Sequence, residues 1–141
     1  MAQGDGHVYN NFKEQLMLKT IDLINDVLKA ALYSTSFSAT DIDGAAPAYS
    51  TTNEIVASGY TAGGATLGTK TVTQDDTNDR AAFDCADITW TSLATATIGK
   101  VLIYDDTTAT KWILIAFEIT TNSNGGNYTL TINANGLLLL S

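Results

Sequence analysis

KWILIAFEITTNSNGGNYTLTI, residues 111–132, is the stretch on which the fold turns. Its first part, residues 111–120, is a nearly continuous apolar run rich in β-branched and aromatic side chains. That pattern predicts a strand buried on both faces, with Ile113, Ile115 and Phe117 pointing into the core. NSNGGN, residues 122–127, follows. Asn-Gly and Gly-Gly accept positive φ, so the segment predicts a hairpin. Residues 128–132 alternate, Asn135-Gly136 signals a turn, and four leucines at 137–140 close the chain.

Upstream the same grammar repeats. Residues 95–105 read as a strand, with Val101 and Ile103 opposed to Leu102 and Tyr104. Residues 80–92 alternate in part, residues 74–79 are a polar turn, and residues 68–73 read as a strand after a glycine-punctuated turn at 59–67. Strands at short regular spacing, each bounded by turn chemistry, predict an all-β, antiparallel sandwich or barrel-like domain. Residues 34–54 are loop-like.

The N-terminal third is ambiguous. Residues 1–9, with two glycines and no period, read as a flexible arm ahead of a single β-rich domain over residues 10–141. Asn10 or Asn11 then caps a helix carrying Phe12, Leu16 and Met17 on one side. Ile21, Ile24, Leu28 and Leu32 continue the 3.6-residue period, which allows one long helix to residue 32. The alternative breaks that helix near Thr20, makes 21–24 a short strand, turns at Asn25-Asp26, and runs 27–33 as a second strand.

Composition agrees with strands and turns. Twelve of the fifteen acidic residues are Asp, which favours turns and caps, and threonine is abundant. A chain of 141 residues that is 45% hydrophobic and 16% charged supports one domain with a core, not a disordered polyelectrolyte. The net charge of −8 repels phosphate backbones and argues against a nucleic-acid partner. No apolar run approaches the roughly 20 residues needed to span a bilayer, and residues 1–8 lack a signal-peptide pattern. Synthesis in the cytosol with no membrane association is the expectation.

Chemistry-bearing residues are sparse, and no catalytic, cofactor-binding or metal-ligating residue is expected. His7 is the single histidine and falls in the expected flexible arm, with no second histidine to pair with a serine or with Cys85, so no Ser-His or Cys-His pair is expected. Cys85, the single cysteine, reads as a small buried apolar residue. Asp41-x-Asp43-Gly44 begins like a calcium loop, but Thr52 stands where an EF-hand needs Glu. Asp75, Asp76 and Asp79, and likewise Asp105 and Asp106, could offer clustered oxygens to a hard cation such as calcium, but read first as solvated turn residues. Trp90, Trp112 and Tyr60 could form a sugar-stacking platform, which makes a glycan-binding module the alternative from another class.

Three segments together resemble small structural proteins of tailed-bacteriophage particles, some of them head decoration (cement) proteins. They are Asn11-Phe12-Lys13-Glu14-Gln15-Leu16 with Ile21-Asp22-Leu23 and Lys29-Ala30-Ala31-Leu32; Ser58-Gly59-Tyr60-Thr61-Ala62-Gly63-Gly64 with Leu67; and residues 80–90, RAAFDCADITW. The resemblance implies a short helix followed by strand–turn–strand, although residues 24–27 are more apolar here than in the group. It further implies a location on the capsid surface of a virion, the major capsid protein as partner, and self-association as a homotrimer. A tail or baseplate protein is the alternative within the same class.

Overall fold

In the computed structural model, which describes residues 6–37 and 48–141, the chain is mostly strand (42%) with one short helix. The order is β1 (Gly6–Val8), α1 (Asn10–Met17), β2 (Leu28–Tyr33), β3 (Ala65–Thr66), β4 (Thr71–Asp75), β5 (Arg80–Asp84), β6 (Ile88–Trp90), β7 (Thr97–Asp105), β8 (Ile113–Asn122), β9 (Tyr128–Leu130) and β10 (Leu138–Leu140). Pairing is antiparallel throughout, in sheets ordered β1-β8-β7-β2-β3, β10-β5-β4 and β6-β9. The all-β, sandwich-like expectation with an N-terminal helix holds.

The five-stranded sheet is buried on both faces at its centre. The registers place Leu32, Val101 and Phe117 side by side on one face, next to Ala30, Ile103 and Ile115. The other face carries Ala31, Leu102 and Ala116. All nine are buried. Two-sided burial explains why these strands read as continuous apolar runs and not as alternating ones. Past Phe117, β8 runs beyond its cover, and Glu118, Thr120 and Asn122 are exposed while Ile119 and Thr121 are partly so. Tyr104 stacks on Tyr49 (centroids 4.3 Å apart), and the Tyr33 hydroxyl donates to the Ser50 carbonyl (2.5 Å), so the segment following residue 48 lies over the second face.

The N-terminal reading needs correcting in three places, the first being that Tyr9, and not Asn10 or Asn11, stands at the N-cap of the helix, with no side-chain cap bond. Gly6–Val8, assigned to a flexible arm, is an edge strand on β8, and Tyr9 is buried with its N–H on the Leu114 carbonyl. Residues 1–5 of the expected arm lie outside the described residues. The helix stops at Met17, and Lys19 adopts a left-handed φ of 59°. The long helix is therefore excluded and β2 is confirmed, but residues 21–24 are not a strand. There the Asp22 carboxylate accepts the N–H groups of Ile24 (2.9 Å) and Asn25 (3.0 Å), winding a turn that tucks Ile21 and Leu23 inside. A local side-chain acceptor outcompetes a ladder.

Three further expectations shift. The strand expected at 68–73 begins only at Thr71, as β4, while β3 falls inside the expected turn, and residues 80–92 split into β5 and β6, which belong to different sheets. NSNGGN makes a turn, with Gly125 at φ 78°, but not a hairpin, because β8 pairs with β7 and β1 while β9 pairs with β6. β8 is paired with β7 along most of its length and with β1 at Ile115 to Phe117, and the turn passes the chain to another sheet.

Candidate functional site

The glycine–tyrosine segment closes around a carboxylate. Glu54, only 8% exposed, accepts from the Tyr49 hydroxyl on Oε2 (2.7 Å), and from the Tyr60 hydroxyl (2.5 Å) and the Gly63 N–H (2.8 Å) on Oε1. Tyr60 in turn accepts the Leu32 N–H (3.0 Å), while the Leu32 carbonyl accepts from Ile55 (3.0 Å). The Tyr104 hydroxyl donates to the Gly63 carbonyl (2.7 Å). Backbone groups that β2 leaves open beyond the short β3 are thus satisfied by this segment.

Burial, followed by the hydrogen bond to Glu54, raises Tyr49 and Tyr60 well above the usual tyrosine range. Burial and the Glu54 charge do the same to Tyr33. Both carboxylate oxygens are occupied by donors from the protein itself, so the arrangement acts as a clip fastening residues 49–63 to the sheet. Sequence reasoning missed Glu54. Its one signal was a glutamate placed between two tyrosines in a loop otherwise dominated by small residues. Glu54→Gln keeps an acceptor for Tyr60 and Gly63 but obliges the Tyr49 hydroxyl to reverse. The expected loss is about 1–2 kcal/mol of stability, read from urea unfolding.

A second cluster sits where β7 ends. Asp105 is fully buried, and its Oδ1 accepts the N–H groups of Thr107 (2.7 Å) and Thr108 (3.4 Å), an ordinary turn arrangement. Its Oδ2 has no donor among the described residues and neighbours the Asp26 carboxyl. Desolvation, then the Asp26 charge, push Asp105 above the usual carboxylate range despite the Thr107 N–H. Asp106 does the reverse. Lys111 and Lys29 (2.7 Å) hold it below that range. The two adjacent aspartates, expected as solvated turn residues, are respectively buried and ion-paired.

For Asp105 the folded protein holds its proton above the unfolded value of 3.8. Its contribution to stability is therefore full below 3.8 and declines as pH rises through the folded pKa. Asp105→Asn retains the Oδ1 acceptor and supplies an N–H toward Asp26. Its stability relative to the wild type should increase as pH rises from about 4 to 7, in paired thermal melts. A difference that stays flat with pH, or shrinks, would count against an unpartnered carboxylate at this position.

The remaining candidates do not converge. Cys85 is buried as expected. Burial, then Asp84 and Asp87, raise its thiol to about 12, which leaves it in the unreactive neutral form. His7 lies on β1 opposite Ala116. Trp90 is buried against Tyr128 (5.9 Å), and Tyr60 is tied to Glu54, so the three-ring sugar platform is not assembled. Asp75 accepts from Asn78 (2.8 Å) and Arg80 (2.9 Å), and Asp76 accepts from Gln74, as turn residues do. Asp41 and Asp43 lie outside the described residues. Among the described residues no group of three or more His, Cys, Asp or Glu side chains could hold a metal.

What the domain does present outward is the β4–β5 hairpin. Thr71 to Gln74 are exposed, and β5 is the one strand beside β4 among the described residues. Val72 is 50% and Leu140 46% exposed along a shallow trough that also takes in Gln74, Asp76 and Ala81. A narrower cleft of about 310 Å³ lies between β1 and residues 133–139, floored by Ile115 and Phe117. No protein family, curated protein or solved structure matches the chain.

Proposed function

We propose that the chain is a structural protein of a tailed-bacteriophage particle, a decoration protein that seats on the head and reinforces contacts between major capsid subunits. The likeness of its three segments to such proteins supports the phage attribution. The observation that carries an assembly role is the contrast between a domain tied down internally and a hairpin left open. Glu54 and its tyrosines close one part of the molecule. β4, which carries exposed Val72, has an edge with no strand on it among the described residues, near exposed Leu139 and Leu140. Long-lived particles favour such rigid modules, whose surfaces meet neighbours in place of substrates. The net charge of −8 keeps the domain from adhering to packaged or free nucleic acid.

The test is attachment. Purified protein mixed with expanded, undecorated heads should sediment with them, in copies that scale with the capsomers, and should raise their resistance to heat or chelator. Attachment in a few copies to tails alone would move the protein to the tail. Binding to neither, with specific retention on a glycan array, would replace the reading altogether.

A further inference from the structure

We infer that β4 pairs edge to edge with β4 of a second copy, forming a two-fold dimer in which Lys70 of each chain meets Asp76 of the other. The strand is an open template. Its residues Thr71, Val72, Thr73 and Gln74 are β-compatible and uncharged, with no proline, lysine or bulge among them. Natural edge strands are ordinarily blunted by such devices. β4 is also exposed along nearly its whole length, so no neighbouring loop among the described residues covers it.

Symmetry then fixes the register. Two adjacent antiparallel strands related by a two-fold axis keep the same face up, so each residue must pair with one of its own parity. Full overlap of the strand Thr71–Asp75 puts the axis at Thr73. Thr73 then faces its own copy, Val72 faces Gln74, and one step outward Lys70 faces Asp76. Opposite charges meet in a register chosen by overlap alone. Val72 and Gln74 alternate with Thr73 along β4 and so share one side of the sheet, and Asp76 follows in the turn one residue beyond the strand. Lys70 already donates to the Asp26 carbonyl, and its ammonium carries further donors for Asp76. Asp76 is exposed in the turn that follows β4 and is held by Gln74 of its own chain. The two three-stranded sheets become one of six strands, and the troughs run together. This pairing is independent of where the protein resides.

Sedimentation velocity over a range of concentrations, with wild type, K70E, D76K and an equimolar mixture of the two variants, tests the inference. The wild type should form dimers that weaken with added salt. Each reversal places like charges together twice and should lower association by about ten-fold or more. The mixture should recover it, because the two reversed side chains then face each other with opposite charge at one end of the pairing, while the native Lys70–Asp76 pair forms at the other. K70E also gives up the Asp26 contact. If that variant proves unstable, D76K, in an exposed turn, decides the matter alone against the wild type. A wild type that is monomeric at every concentration overturns the inference, as does a dimer indifferent to both reversals. A trimer, the order implied by the resemblance, overturns it too.

Discussion

Gly64→Ala is expected to remove about 4 kcal/mol or more, a large share of a total stability in the usual range of about 5–15 kcal/mol. Gly64 has a φ of +78°, where a side chain costs about 1–2 kcal/mol by itself. The larger part is steric. A Cβ at this position would overlap the Ala30 carbonyl oxygen and stand 2.8 Å from the Ala31 Cα. Those atoms belong to β2, which is paired with β7 along its whole length and with β3 at Ala30, so they cannot retreat without breaking a ladder. Moving Gly64 instead pulls on Gly63, whose N–H and carbonyl are bound to Glu54 and Tyr104. Gly126→Ala is the control, because a Cβ there meets nothing within 4 Å. Its effect should stay within about 0.5 kcal/mol. Equal denaturation midpoints for the two variants would show that the approach of residue 64 to β2 is not as close as described.

Phe117→Ala should cost about 3 kcal/mol, the lower end of the range of about 3–5 kcal/mol for deleting a buried phenylalanine ring. The residue is 2% exposed and pairs across the sheet with Val101 on one side and Gly6 on the other. Its ring underlies β1, since a Cβ at Gly6 would come within 2.6 Å of it. The cost stays at the lower end because Phe117 floors the cleft beside residues 133–139, so the vacated space opens to water and is not sealed as a void. Guanidinium unfolding measures the loss. Amide exchange should also show β1 released from β8 before the rest of the sheet. A loss under about 1 kcal/mol would mean that the β8 core face has been misassigned.

Much of this architecture was legible in the residues, and the failures share a cause. β7 and β8 were recognisable because two-sided burial produces long apolar runs, and Ile113, Ile115 and Phe117 are buried as their pattern predicts. The glycine–tyrosine segment stood out as a motif, yet its purpose did not. Glu54 becomes meaningful only when Tyr49, Tyr60 and Gly63 arrive around it, and hydrogen-bond geometry between loop residues has no period to detect. Asp105 and Asp106 are neighbours of identical type with opposite environments, because one points beneath the turn and the other toward Lys29 and Lys111.

By itself the sequence determined the β-rich class, the start of a helix near Asn10, the positions of most turns and the burial of Cys85. These follow from side-chain chemistry acting over a few residues: turn formers, β-branched runs and apolar content. Only the tertiary structure decided where that helix ends and which strands pair. The helical period runs on to Leu32, but β7 offers residues 28–33 a ladder, and they take it. NSNGGN is as good a hairpin signal as a chain can carry, but β8 had two better partners in β1 and β7, so β9 went to β6. Gly6–Val8 has no pattern of its own and becomes a strand because β8 offers it an edge. Pairing is a competition among distant segments for a limited number of edges, and the outcome depends on burial that no local stretch of sequence encodes.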